Sequence, residues 1–196
     1  MVQVRDLEQE LQAIVRATPW LLDALARVRH VAPAGALIAA GAVRDTVWNV
    51  LGGRDAPPPA ADVDVVYWQA SEEPERARYH QDALARVAPT LCWEVTNQAW
   101  VHLWYSASGS AVAALGSVEE GLSTWPETAT AVGVRLSAHD TIEVVAPLGL
   151  EDLFARLVRH NPARASAAVY AQRLAEKNWL RRFPELQILP SRELPP

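Results

Sequence analysis

With 196 residues, half of them apolar, the chain is long enough to bury a substantial core and fits a single domain. Eighteen Lys plus Arg against 23 Asp plus Glu leave a net charge of −5 without any block of like charge, which excludes broad nucleic-acid or membrane-surface binding by bulk electrostatics and leaves room for a local basic patch only. Cys92 is the sole cysteine, so an intramolecular disulfide and a cysteine-based zinc site are both excluded.

The first stretch, MVQVRDLEQELQAIVRATPW, is charged and amphipathic rather than a basic stub leading into an apolar core, and no apolar run approaches the roughly 18 residues of a membrane span. A cytoplasmic location without a membrane partner is expected. Leu7, Leu11, Ile14 and Val15 follow helical spacing; Thr18 and Pro19 then end that helix and start a second, whose buried face is Leu21, Leu22, Leu25 and Val28. Both read as scaffold.

Residues 36–40 form a short apolar run between Gly35 and Gly41, the mark of a buried strand, and Val43, Val47, Val50 and Leu51 give the next segment a helical face. A strand that turns through glycine into a helix N-terminus presents free N–H groups and a partial positive charge, which suits a phosphate, although a glycine also simply ends many strands. The loop 52–61, GGRDAPPPAA, is held out of regular structure by Gly52-Gly53 and Pro57-Pro58-Pro59. In the strand that follows, 62–68, alternation sends Asp62 and Asp64 to one face and Val63, Val65 and Tyr67 to the other. Two carboxylates side by side raise each other's pKa unless a cation shares them, so this pair is read as a metal site.

Segment 72–87 is a charged covering helix with Tyr79, Ala83, Leu84 and Val87 on its buried side, and 91–96 is a β-prone run. In that run Glu94 either points to solvent on a sheet edge or joins Asp62 and Asp64 in a metal cluster. Asn97 and Gln98 either bond a base or sugar or cap the helix that continues through Leu103. His102, Trp100, Trp104 and Tyr105 are read as core.

Beyond Ser117 a helix is expected to close at Gly121, a turn follows at Trp125-Pro126, and strands at 131–136 and 141–146 flank a hairpin turn at His139-Asp140. Glu127, Thr128 and Thr130 sit at the mouth of the first of these strands, where turn chemistry explains them as well as ligand contact does. Glu143, in the second, competes with Glu94 for the place of third acid. Leu150, Leu153, Phe154 and Leu157 mark a helix that stops before Pro162, and a last helix over about 163–182 carries Arg164, Arg173 and Lys177. Arg159 and Lys177 can approach a phosphate or merely solvate the surface. Residues 184–196 read as an extended tail.

The motifs GAVRDTVW, DVDVVYW, WEVTNQAWVHLWY, WPETATAVGVRL, APLGLEDLF and RHNP, in this order from about residue 35 to 190, resemble the bacterial nucleotidyltransferase-like family of unassigned substrate, within the polymerase β-like nucleotidyltransferase superfamily. That resemblance implies an α/β (α+β) fold: a mixed sheet of about five strands covered by helices, with helical additions at both termini. Its segments would be N-terminal helices at 1–34, a catalytic core at 35–148, C-terminal helices at 149–183 and a tail at 184–196. It further implies transfer of a nucleoside monophosphate from an NTP to an acceptor hydroxyl, with pyrophosphate released and Mg²⁺, or Mn²⁺ in its place, held by Asp62, Asp64 and Glu94. The resemblance favours Glu94 over Glu143 and places it nearest the acceptor. Gly41, Ala42, Arg44 and Asn97 become nucleotide contacts, Arg44 as a bidentate phosphate ligand or, on its other reading, as a partner of Asp45.

The chain departs from the superfamily's Gly-Gly or Gly-Ser turn by having Gly41-Ala42, which removes a hydroxyl contact and leaves backbone N–H groups. The interval from Gly41 to Asp62 is similar to that of the tRNA-nucleotidyltransferase branch, but no counterpart of that branch's RNA-binding body is evident. The acidic net charge favours a small-molecule acceptor over an RNA end or a protein side chain. Two other functions fit the same residues: a non-catalytic nucleotide-binding or regulatory module, and a purely structural Mg²⁺ or Ca²⁺ site.

Overall fold

The computed structural model describes residues 6–58, 62–107 and 112–191, the side chains of 105–107 excepted. In chain order the elements are α1 (Leu7–Arg16), α2 (Pro19–Val31), β1 (Leu37–Ala39), α3 (Gly41–Leu51), β2 (Asp62–Tyr67), α4 (Arg76–Val87), β3 (Cys92–Asn97), a 3₁₀ turn (Gln98–Trp100), α5 (His102–Ala107) and α6 (Val118–Ser123). A second 3₁₀ turn (Thr128–Thr130), β4 (Gly133–Leu136), β5 (Ile142–Val145), α7 (Glu151–Phe154), β6 (Leu157–Val158), α8 (Ala167–Lys177), α9 (Trp179–Arg182) and β7 (Gln187–Ile188) follow.

Among the described residues, five strands form one sheet in the order β3-β2-β1-β4-β5. All neighbours are antiparallel except β2 and β3, which run parallel because α4 carries the chain back between them. Alternation then sorts the strands into two faces. Ile38, Val63, Val65, Tyr67, Trp93 and Val95 enter the main core, packed with apolar side chains of α1, α2, α3, α4 and α7. On the opposite face Leu37, Ala39 and Val66 meet Val118 and Leu122 of α6, and this small cluster covers only part of the sheet. The rest of that face, with Asp62, Asp64, Glu94 and Thr96, forms the floor of a cleft.

Cap chemistry fixes the first helices. Asp6 caps α1 by accepting from the backbone of Gln9, and Thr18 spends its hydroxyl on the Ile14 carbonyl at 2.8 Å, closing α1 while Pro19 opens α2. Between β1 and α3, Ala40 adopts φ 53° and ψ −128°, a conformation unfavourable to a residue with a Cβ, and so makes the sharp strand-to-helix turn.

Several boundaries differ from the sequence reading, each for a local reason. In α4 it is His80 and Leu84 that are buried, while Tyr79 and Val87 are exposed. Helix α6 does not close at Gly121 but runs through it to Ser123, started by Ser117 accepting from the Glu120 N–H at 3.0 Å. The helix expected to run from Leu150 through Leu157 ends at Phe154, because Arg156 turns the chain with φ 57° and Leu157 becomes part of β6. The last helix starts later, at Ala167, and is broken at Asn178, which takes a left-handed conformation and separates α8 from α9. The expected extended tail contributes β7, parallel to β6, and Tyr170 Oη lies 2.9 Å from the carbonyl oxygens of both Val158 and Leu189. Residues 192–196 of that tail lie outside the described residues. Among the described residues no helix is long and apolar enough to cross a membrane.

Candidate active site

The acids of the cleft floor are placed by strand alternation and register alone. Asp62 and Asp64 share one face of β2, and the parallel pairing sets Asp64 beside Glu94 and Asp62 beside Cys92. On the other side Asp64 pairs with Ala39 of β1, whose methyl group crowds it little. One carboxylate oxygen from each of Asp62, Asp64 and Glu94 falls within 4.8 Å of the others. Burial pushes the Asp64 carboxyl up to about 7, with the charges of Asp62 and Glu94 adding to the effect and those of Lys177 and Arg44 opposing it. The Glu94 carboxyl is raised as well, first by its hydrogen bond with Asp62 and then by burial. Metal-free, the cluster therefore retains a proton near neutral pH, and its all-oxygen donor set matches a hard divalent cation. Glu143 lies on β5, at the opposite edge of the sheet, where its Oε2 accepts from Arg135 Nε at 2.6 Å.

Facing the acids is a wall of cations drawn from three helices. Arg44, in the first turn of α3, is buried: its Nε donates to Asp45 Oδ1 at 2.9 Å, its Nη1 to Thr130 Oγ1 at 2.8 Å, and its guanidinium carbon lies 4.7 Å from the ring centroid of Trp179. Asp45 also receives Arg182 of α9 at 2.8 Å, so one buried carboxylate holds two arginines. Arg173 of α8 makes a two-pronged pair with Glu127, at 2.6 and 3.2 Å, and Glu127 is fully buried. Lys177, one turn further on, has no hydrogen bond or ion pair among the described residues, and its charge lowers the pKa of both Asp64 and Glu94. Trp179 lines the same wall, and its buried Nε1 has no partner among the described residues. Floor and wall enclose about 620 Å³, a volume that suits a nucleotide-sized ligand.

The sequence model of a nucleotidyltransferase family matches residues 26–188. The chain belongs to that nucleotidyltransferase family. A protein whose NMR structure reveals a CCA-adding enzyme head domain superposes with a TM-score of 0.81 at 28% identity, covering 93% of this chain and 96% of the other. A CCA-adding enzyme in complex with CTP aligns with a TM-score of 0.51 at 16% identity over 94% of this chain, which is a likeness of fold. This chain spans only 43% of that enzyme. No curated protein matches by sequence. The expected polymerase β-like core, a mixed five-stranded sheet under helices, is the fold of this nucleotidyltransferase.

Within the nucleotidyltransferase the remaining sequence candidates divide. Gly41 lines the cleft, whereas Ala42 packs in the core and leaves only its backbone for a ligand. Arg44 pairs with Asp45, its alternative reading, as a buried rather than a surface pair, and it also lines the cleft. Asn97 takes the capping role: its Oδ1 accepts from the N–H of Gln69 and of Ala99, and its Nδ2 donates to the Gln69 carbonyl at 2.8 Å. Its neighbour Gln98 lines the cleft instead. Arg159 is tied to Asp152 at 2.7 Å, and Thr128 donates to the same carboxylate. Trp104, expected in the core, is 61% exposed at the cleft, while Trp100 is half-buried with Nε1 donating to the Glu72 carbonyl. His102 is half-buried, and the side chain of Tyr105 lies outside the described residues. The sequence reading gave Arg182, Trp125 and Trp179 no place in the cleft, Trp125 being read only as part of a turn. The four-residue spacing of Arg173 and Lys177 on one helix face was the available signal for the wall.

Proposed function

We propose that this nucleotidyltransferase moves a nucleoside monophosphate from an NTP to a hydroxyl group of a small-molecule acceptor, in a reaction that depends on Mg²⁺ held by Asp62, Asp64 and Glu94. The observation that carries this reading is the close approach of three carboxylates, within 4.8 Å, directly across one cleft from Arg44, Arg173 and Lys177. The residues fit the ion: three oxygen donors stand together, and the Asp64 carboxyl, raised first by burial and then by the charges of Asp62 and Glu94, is a position where a divalent cation would replace a proton. Bound there, Mg²⁺ would neutralise charge on the transferring phosphate and make the acceptor hydroxyl more acidic.

The protein's own groups supply the rest. The N-terminus of α3 at Gly41, the Arg44 guanidinium and the Lys177 ammonium bind the phosphates, Lys177 having no carboxylate partner among the described residues. Arg173, oriented by Glu127, presents its guanidinium on the same side. In the transfer, the acceptor oxygen forms a bond to the α-phosphorus, the bond from the α-phosphorus to the oxygen bridging to the β-phosphate breaks, and pyrophosphate leaves with that bond's electron pair. The acceptor proton passes to Glu94, the exposed member of the triad.

The test is to incubate the protein with each NTP labelled at the α-phosphate, plus a metabolite fraction or a small-RNA fraction, with and without Mg²⁺. Mg²⁺-dependent movement of label into the metabolite fraction, abolished in Asp62→Asn, supports the reading; label in RNA alone would move the acceptor to an RNA end. Mg²⁺-dependent NTP binding without transfer to either fraction would favour a non-catalytic nucleotide-binding module.

A further inference from the structure

Besides acids and cations, the cleft is lined by an amide and an aromatic group, Gln98 and Trp104. Gln98 is 4% exposed and lines the cleft, yet its carboxamide has no hydrogen-bond partner among the described residues. Unlike Trp179 Nε1, its polar atoms are not sealed off from the open cleft, so the carboxamide presents its donor and acceptor where a ligand's polar edge would bond them. The position of that amide is built. A Cβ on Gly121 of α6 would fall 2.5 Å from Gln98 Oε1 and 3.0 Å from its Cδ. Helix α6 thus keeps a glycine where alanine is the better helix former, and the carboxamide occupies the vacated space. Trp104 lies on α5, beyond the 3₁₀ turn that Gln98 opens, and lines the same cleft. It is 61% exposed, whereas Trp48 and Trp179 are buried. Val101, between the two, is buried and also lines the cleft.

We propose that Gln98 and Trp104 form a subsite for a nucleobase, the indole stacking on the ring and the carboxamide bonding the ring's polar edge. An indole face binds planar heterocycles irrespective of their identity, whereas a carboxamide offers one donor and one acceptor side by side, the complement of a base edge and a poor match to a phosphate. Gln98 is then a specificity-determining residue and Trp104 an affinity-determining one. The inference rests on the nucleotidyl-transfer reading above, and the base belongs either to the donor NTP or to a nucleoside-like acceptor.

The test is equilibrium binding of ATP, CTP, GTP, UTP, inorganic tripolyphosphate and the four nucleosides, with Ca²⁺ replacing Mg²⁺ to prevent turnover. The proteins are wild type, Gln98→Met, Trp104→Ala and Gly121→Ala. Gln98→Met keeps the side-chain length without the amide, and Gly121→Ala displaces the amide without removing it. Each variant is expected to lose about tenfold in affinity for the base-bearing ligand while tripolyphosphate binding stays unchanged. Loss confined to NTPs assigns the subsite to the donor's base; loss confined to nucleosides binding the NTP-loaded protein assigns it to the acceptor. Variants that bind NTPs and nucleosides as wild type does, or that lose tripolyphosphate in parallel, would overturn the subsite and leave the nucleotidyl-transfer reading standing. Wild type that binds neither NTP nor tripolyphosphate would overturn both.

Discussion

The two sides of the cleft are made in different ways. Asp62, Asp64 and Glu94 come from adjacent parallel strands and need only the pleat and one register to converge. The cations opposite come from α3, α8 and α9, and ion pairs spanning long intervals hold two of them, Arg173 by Glu127 across 46 residues and Arg182 by Asp45 across 137. A floor built from backbone geometry tolerates charge removal, because the strands remain paired whatever their side chains carry. A wall built from buried ion pairs does not, since deleting one partner strands the other in low dielectric. The floor is the place where mutation should separate chemistry from stability, and the wall the place where it should couple them.

The largest effect is expected at the floor. Asp64→Asn should lower the transfer rate by about a thousandfold or more while leaving the metal-free melting temperature unchanged or raised, because it removes a charge that burial already disfavours. Steady-state transfer and a thermal melt on the same preparation check this; an equal loss of stability would break the distinction between floor and wall. At the wall, Glu127→Gln should cost about 3 kcal/mol in urea unfolding, since Glu127 is fully buried and Arg173 loses its bidentate partner. NTP affinity should fall with it. Replacing both partners by apolar residues should recover stability without recovering affinity.

A pH titration sharpens the same comparison. In the folded, metal-free protein Asp64 holds its proton up to about 7, against 3.8 for an ordinary aspartate, so the folded state binds more protons between those values. Its contribution to stability is therefore full below the lower value and lost as pH rises through the upper. Mg²⁺ competes with that proton, so the gain in melting temperature from Mg²⁺ should grow as pH rises from about 5 to about 8 and flatten beyond it. A gain independent of pH would show that the ion binds away from Asp64. The smallest effect is expected where floor and wall join: Ala40→Gly should stabilise by about 1 kcal/mol, because Ala40 holds φ 53° with a Cβ, and differential scanning calorimetry would register it.

The same division explains what could be read from the sequence. A period of two is visible in DVDVVYW and LCWEVT, so the Asp62 and Asp64 pair and the sheet under it were legible, whereas Glu94 joined them through that pair and the family resemblance, since the pattern alone allowed a solvent-facing edge. Continued one step further, that period places Asn97 with Trp93 and Val95 on the core face and sends Thr96 and then Gln98 to the side of Glu94, which is how the structure divides them. Trp104 was misread because a run of large apolar residues looks the same whether it fills a core or lines a ligand pocket. The helix expected at 150–157 failed at Arg156, and the last one broke at Asn178; both adopt positive φ, which no glycine announces. Glu127 and Arg173 could not be paired from spacing, since what joins them is the folded position of α8 and no local pattern encodes it.

The measurement that tests the central claim most directly is thermal unfolding of wild type and Asp62→Asn/Asp64→Asn with each of the four NTPs, with and without Mg²⁺. A ligand that binds only the folded state must raise the melting temperature by mass action. The account predicts a rise with at least one NTP that needs Mg²⁺ and vanishes in the double variant. No rise with any NTP at saturating Mg²⁺ or Mn²⁺, or an equal rise in the double variant, would contradict it.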